Sequence, residues 1–250
     1  MRRLKKTLFT LNIGNYAPEI TALTYPLMKY YAERIGADFH IITDRRFPNW
    51  PVTYEKLQIY ELGRQMDNDW NIYIDGDALI HPECLDWTIL LNKDTILNNA
   101  RDFANVRWRY NNYFLRDGRN WGIGNWFTVA SDWCLDLWRP LDGSFEDAVC
   151  NIFPTMNERS KCVNKEHLID DYALSCNVAR FGIKAKTVKD LQKDLEFEGG
   201  FFYHLYNVTE QEKLHGGTIR DSGKELQTPG IIKVIEEHWK VPEFVKNYGK

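Results

Sequence analysis

Three short apolar runs, each separated from the next by a helical stripe, occupy the first third of the chain. Residues 7–13 (TLFTLNI) read as a buried first strand, closed by Gly14 and Asn15. Over 18–35, Ile20, Leu23, Leu27, Met28, Tyr31 and Ile35 recur at helical spacing. Pro18 suits a first helical position and Gly36 a C-terminal stop, while Pro26 interrupts the stripe and predicts a kink. Residues 39–43 read as a second strand, 54–66 as a second helix and 71–74 as a third, buried strand. Strand, helix, strand, helix, strand in that order implies parallel pairing with right-handed crossovers. In such sheets ligands bind beyond the carboxyl ends of the strands.

The third strand ends in an acidic pair. Ile72-Tyr73-Ile74-Asp75-Gly76-Asp77-Ala78 delivers two carboxylates, one residue apart, to that edge. Oxygen ligands of this kind suit Mg²⁺ or Mn²⁺, which keep positions open for phosphate oxygens and water. Gly76 between them permits an unusual backbone angle and the close approach of a ligand. A bare Asp-x-Asp is often only a solvated turn. The apolar strand before this one, at the end of a βαβαβ pattern, favours a cation site.

Beyond the pair, 101–107 and 125–130 are expected strands, with Ser131 capping a short helix over 132–138. Residues 141–165 read as irregular, 166–181 as a helix stopped by Gly182, and 184–188 and 201–205 as short strands. Pro229 is expected to open a final amphipathic segment running to about Tyr248. The 250 residues suit one α/β domain, 1–250, with a nucleotide-binding half over about 1–110 and an acceptor half over about 111–250. A net charge of −3 gives no general attraction for nucleic acid. The five cysteines are odd in number and form no CxxC pair, so reduced thiols are expected. The basic start, Met1 to Lys6, leads into a run too short and polar for a signal peptide, and no apolar stretch is long enough to span a membrane. The expectation is a cytoplasmic protein without a transmembrane segment, in which the sequon Asn207-Val208-Thr209 is fortuitous. Aromatic residues are abundant, nine of them Trp, and Trp108, Trp121, Trp126, Trp133 and Trp138 crowd one stretch, where some could serve as platforms for sugar rings.

The segment Ile72–Ile80 resembles the Asp-x-Asp segment of retaining GT-A glycosyltransferases, especially galactosyl-, mannosyl- and xylosyltransferases and the glycogenin-like family. Tyr54-Glu55-Lys56-Leu57 resembles their Tyr-x-Lys-Leu helix start, and Gly122-Ile123-Gly124 through Trp133 their Asn-x-Gly strand and Trp-containing helix. Leu168 to Leu174 resembles their Asp-Gln-x-x-Leu helix, and Phe202-Tyr203-His204 their late strand ending in a metal-binding His. The anchors fall in the family's order over about 7–215.

The resemblance implies a GT-A fold, a mostly parallel sheet flanked by helices, and a role for each matching position. Asp75, Asp77 and His204 would hold Mn²⁺ or Mg²⁺. Thr10, Asn12 and Tyr16 would lie by the nucleotide base and ribose, Lys56 would approach the nucleotide or the second carboxylate, and Asp75 and Gly76 would also border the nucleotide. Asp170 and Asp171 would face the donor sugar near the reacting carbon. The implied partners are a nucleotide-sugar donor, UDP-linked by resemblance, and a glycan or other hydroxyl acceptor, with the anomeric configuration retained. The chain departs from the family pattern at Gly122 and Asp171, where Asn and Gln are usual. It also lacks a Lys-Pro-Trp after His204, Lys213 being offset. Asn120 or Asn125 could stand in for the missing Asn, and His215 is a rival to His204. Gly216-Gly217 reads as a loop able to offer backbone amides to phosphate, and Arg107 and Arg109 could pair with phosphate.

Two other classes fit parts of the pattern. A haloacid-dehalogenase-type phosphatase also uses a strand-borne Asp-x-Asp with Mg²⁺, but on its first strand and followed by Gly-Thr, whereas here Ala78-Leu79 follows a third strand. A non-catalytic sugar-binding protein would use the Trp-rich stretch and would not need the carboxylate pair.

Overall fold

The computed structural model describes residues 4–99, 126–153, 155–157, 169–195, 200–205, 208–221 and 224–249. The strand expected at 101–107 lies outside them, as do Trp108, Trp121, Asn120, Asn125, Arg107, Arg109, Cys162, Leu168 and the Gly122–Gly124 segment.

Among the described residues six strands form the central sheet: β1 (Lys6–Leu11), β2 (Asp38–Ile42), β3 (Trp70–Ile74), β5 (Thr95–Asn98), β6 (Phe127–Ser131) and β7 (Lys184–Thr187). Their order is β2-β1-β3-β6-β5-β7. The ladders β1–β2, β1–β3 and β5–β7 are parallel, and β6 alone runs against both of its neighbours. The class is therefore mixed α/β with a mostly parallel sheet. Side chains alternate across it, as the pleat requires. Leu8, Ile72, Ile74 and Val129 face one apolar layer with α1 (Pro18–Arg34); Phe9, Tyr73 and Ala130 face another with α2 (Ile59–Gln65) and the helix Ile169–Phe181. Burial on both faces explains why these strands read as continuous apolar runs.

The N-terminal expectations hold with small shifts. Helix α1 starts at Pro18 and runs through Pro26, and Gly36 follows its end at φ 68°. The helix expected at 54–66 is divided: Val52–Gln58 is a 3₁₀ turn and α2 begins only at Ile59. Two buried charges account for the division. Glu55 accepts hydrogen bonds from Arg45 Nε (2.7 Å), Phe47 N (3.0 Å) and Gln58 Nε2 (2.7 Å), and Lys56 reaches across to Asp170 (2.7 Å). Ion pairs rather than an amphipathic stripe set the course of this segment.

Later parts differ more. The short helix after Ser131 is present as a 3₁₀ turn, Asp132–Trp138. Within 141–165, expected to be irregular, Phe145–Ile152 is an α-helix whose Ser144 and Asp147 form a reciprocal capping box. Gly216-Gly217 is not a loop: it opens β9 (Gly216–Asp221), which pairs antiparallel with β10 (Lys224–Pro229). Pro229 therefore ends a strand and does not open the terminal segment. That segment is a short helix (Ile231–Lys233), a π turn (Val234–His238) and a last turn (Glu243–Lys246). Phe244 and Tyr248 pack edge-on against Tyr30 of α1. Cys84 and Cys134 are buried free thiols. Among the described residues no helix is long and apolar enough to cross a membrane.

Candidate metal centre

The acidic pair sits where β3 leaves the sheet. Asp75 N donates to Trp126 O (2.8 Å), extending the β3–β6 ladder by one residue, and Ala78 N closes a tight turn onto Asp75 O (3.0 Å). The chain then forms β4 (Leu79–Ile80), which pairs antiparallel with β8 (Phe202–Tyr203), Leu79 opposite Tyr203. One step further along that register, His204 comes opposite Ala78, next to Asp77. This pairing explains how a residue 127 positions away places its Nε2 3.2 Å from Asp77 Oδ1.

Gly76 is needed for space rather than for a special backbone angle. It is not among the residues of positive φ. A Cβ there would lie 3.1 Å from Leu11 O, 3.3 Å from Tyr25 OH and 3.5 Å from Thr10 Oγ1. Its carbonyl accepts from Thr24 Oγ1 at 2.5 Å. The turn is thus pressed against the end of β1 and the side of α1, and the close approach expected of a ligand is made by the protein itself.

The two carboxylates have different surroundings. Asp75 is a quarter exposed; its Oδ1 accepts from Tyr73 OH (2.6 Å) and pairs with Lys56 Nζ (3.0 Å). Lys56 also pairs with Asp170 (2.7 Å), so one buried ammonium joins the end of β3 to the helix Ile169–Phe181. Burial would lower the Lys56 pKa, but the carboxylates of Asp170 and Asp75 outweigh it and hold the amine above the usual lysine range. Burial, with Asp75 adding to it, raises Tyr73 well above a normal phenol, so its hydroxyl stays a donor. Asp77 is buried, with His204 on Oδ1 and Lys213 on Oδ2, where Tyr16 OH also donates (3.3 Å). Burial alone would raise Asp77; the hydrogen bond and charge of His204 and the charge of Lys213 reverse this and hold it well below the usual carboxylate range.

One ligand atom each from Asp75, Asp77 and His204 lies within 4.8 Å of the other two. Octahedral coordination at about 2.1 Å places neighbouring ligands about 3 Å apart and opposite ones about 4.2 Å apart. The 3.2 Å separation of Asp77 Oδ1 and His204 Nε2 matches adjacent positions. Two carboxylates and an imidazole on one side suit a hard or borderline divalent cation with its other positions open. These residues could hold such a cation.

The other sequence candidates lie around this cluster. Asn12 Oδ1 accepts from Tyr16 N (2.7 Å), shaping the loop after β1. Thr10 is fully buried beside Gly76, its hydroxyl without a hydrogen-bond partner. Asp170 is buried on Lys56, whereas the adjacent Asp171 is half-buried and adds to the negative field on Lys56. His215 is exposed at the end of the helix Glu210–His215 and takes no part in the cluster. Of the described tryptophans, Trp126 packs its ring 5.2 Å from that of His204, Trp138 is core, and Trp133 is 70% exposed. Sequence reading missed two contributors. Tyr73 reads in the sequence only as part of the buried strand 71–74, although residues i and i+2 of an extended chain share a face and Asp75 follows at that spacing. The Lys213–Asp77 pairing crosses 136 residues, a span that no local pattern encodes.

No protein-family model matches the chain, and no curated protein matches it. Among solved structures, the chain is similar to a glycosyltransferase involved in the glycosylation of the major capsid of PBCV-1. The TM-score is 0.46 at 11% identity, covering 83% of this chain and 95% of that one. It is also similar to A197 from STIV, with a TM-score of 0.29 at 14% identity, covering 53% of this chain and 68% of that one. Both scores are below 0.5, and the functional reading rests on the geometry of the chain itself.

Proposed function

We propose that this chain is a metal-dependent glycosyltransferase of the GT-A type, transferring a sugar from a nucleotide diphosphate sugar, UDP-linked, to a glycan or other hydroxyl acceptor with retention. The observation that carries the reading is the meeting of Asp75, Asp77 and His204 at the carboxyl edge of a mostly parallel sheet. The bound Mn²⁺ or Mg²⁺ would neutralise charge on the departing diphosphate. Asp75 and Asp77 would hold it from the β3–β4 turn and His204 from the end of β8. Thr10, Asn12 and Tyr16, on or just after β1, would border the nucleoside, and Tyr16 would leave Asp77 to do so. Lys56 fixes Asp75 and Asp170 relative to one another, which keeps the metal ligand and the helix Ile169–Phe181 in register. Asp171, half-buried beside this ion pair, is assigned to the donor sugar. In this reading 1–250 is one domain, with residues 1–110 serving the nucleotide and 111–250 the acceptor.

Asp77→Asn keeps the side-chain shape and removes the charge. It is expected to abolish Mn²⁺-dependent turnover of the donor while circular dichroism stays native. Full activity in that variant, or of the wild type in excess EDTA, refutes the assignment.

A further inference from the structure

We infer that Lys213 is a resident counter-ion of the cation site and that it couples entry of the divalent cation to entry of the anionic diphosphate. The inference rests on Asp75, Asp77 and His204 being the cation's ligands. Asp77 is shared between two kinds of partner: Oδ1 faces His204 Nε2 at 3.2 Å, while Oδ2 carries the Lys213 ammonium and the Tyr16 hydroxyl. The Lys213 side chain is only 8% exposed, so solvent screens this charge weakly. Around the site the carboxylates of Asp75, Asp77 and Asp170 face the ammoniums of Lys56 and Lys213, with Asp171 nearby. Much of the negative charge that would attract a cation is therefore already answered from within the chain.

A divalent cation on Asp77 Oδ1 would stand within the width of one carboxylate of the Lys213 ammonium. Like charges at that separation, away from bulk water, repel strongly. A diphosphate relieves the conflict. Lys213 carries its charge on a flexible four-carbon stem. Its helix, Glu210–His215, is fixed at one end by the Thr209–Glu212 capping box and at the other by Gly216, held at φ 90° against the carbonyl of Thr228. The stem can turn from Asp77 to a phosphate oxygen while the backbone stays in place. Asp77 then belongs to the cation, and the ammonium adds to the attraction for the diphosphate. The cation alone binds weakly and the pair binds tightly, and by linkage each raises the affinity of the other equally.

The test is a titration of Mn²⁺, followed by the electron paramagnetic resonance of the free ion, on the wild type, Lys213→Met and Lys213→Arg, each with and without saturating UDP. Lys213→Met is expected to bind Mn²⁺ alone at least about tenfold more tightly than the wild type. The gain in Mn²⁺ affinity produced by UDP should shrink by a similar factor, and Lys213→Arg, which keeps the charge, should match the wild type. If Lys213→Met does not fold, Lys213→Gln, which keeps a donor for Asp77, takes its place in the same comparison. Unchanged or weaker Mn²⁺ binding in the folded neutral variant overturns the inference and leaves the cation site standing. Failure of every protein to bind Mn²⁺, with or without UDP, removes the cation site and the inference together.

Discussion

Lys56 is the residue on which the site's internal geometry turns. Its ammonium is buried between Asp75 and Asp170, at 3.0 and 2.7 Å, and lies 5.0 Å from the centre of the Tyr73 ring. Removing one member of a buried ion pair leaves the other's desolvation unanswered, a loss of about 3 kcal/mol or more. Lys56→Met should lower the unfolding free energy by that amount in urea titration, and a loss under about 1 kcal/mol would mean that water reaches the carboxylates. The pH dependence follows from the direction of the shift. The Lys56 pKa is raised in the folded chain, so its contribution is complete below the ordinary lysine pKa and is lost only as pH rises through the raised value. Asp77 is shifted the other way, so its contribution is present above the ordinary carboxylate pKa and is lost as pH falls through the depressed value. The Lys56 ammonium stays charged through neutral and mildly alkaline pH, so the difference between wild type and Lys56→Met should stay flat between about pH 7 and 9. A difference that shrinks across that interval would contradict the assignment.

Among elements, the β3–β4 turn carries both aspartates and is closely packed. Gly76 is enclosed by Leu11 O, Tyr25 OH and Thr10 Oγ1, and two of these neighbours lie on β1. Gly76→Ala needs the turn or its neighbours to give by a few tenths of an ångström, and is expected to cost about 1–2 kcal/mol. It should also weaken Mn²⁺ binding, because both aspartates ride on the turn; wild-type stability and Mn²⁺ affinity together would show that the contact is slack. A separate check lies at Ser144, whose capping box starts a helix: Ser144→Ala should cost about 1 kcal/mol in the same urea assay. These elements also show how legibility varied along the chain. The first three strands and α1 were readable because burial on both faces leaves plain apolar runs and stripes. The Ser144-x-x-Asp147 signature was present in the sequence, but the surrounding Gly, Pro and Asp residues masked the short helix it begins. The hairpin of β9 and β10 was missed because Gly216 and Gly217 signal a turn, and only their pairing with Pro229 and Thr228 makes them strand.

In the whole molecule, the sheet order brings segments far apart in sequence to one edge. β3 lies between β1 and β6, so the acidic turn is flanked by the loop after β1 and by Trp126, at the start of β6. The β4–β8 pairing adds His204, and the helix after it adds Lys213. From sequence, Asp75 and Asp77 announced themselves through the strand before them, while His204 rested on resemblance alone. Its register with β4 is a tertiary fact that no local pattern encodes. The central claim is that these three residues hold a divalent cation that receives a nucleotide diphosphate. Calorimetric titration of UDP into the wild type and Asp77→Asn, each with Mn²⁺ and with excess EDTA, addresses it most directly. The prediction is that Mn²⁺ tightens UDP binding to the wild type by at least about tenfold and leaves Asp77→Asn at the level seen in EDTA. Equal UDP affinity with and without Mn²⁺ in the wild type would contradict it.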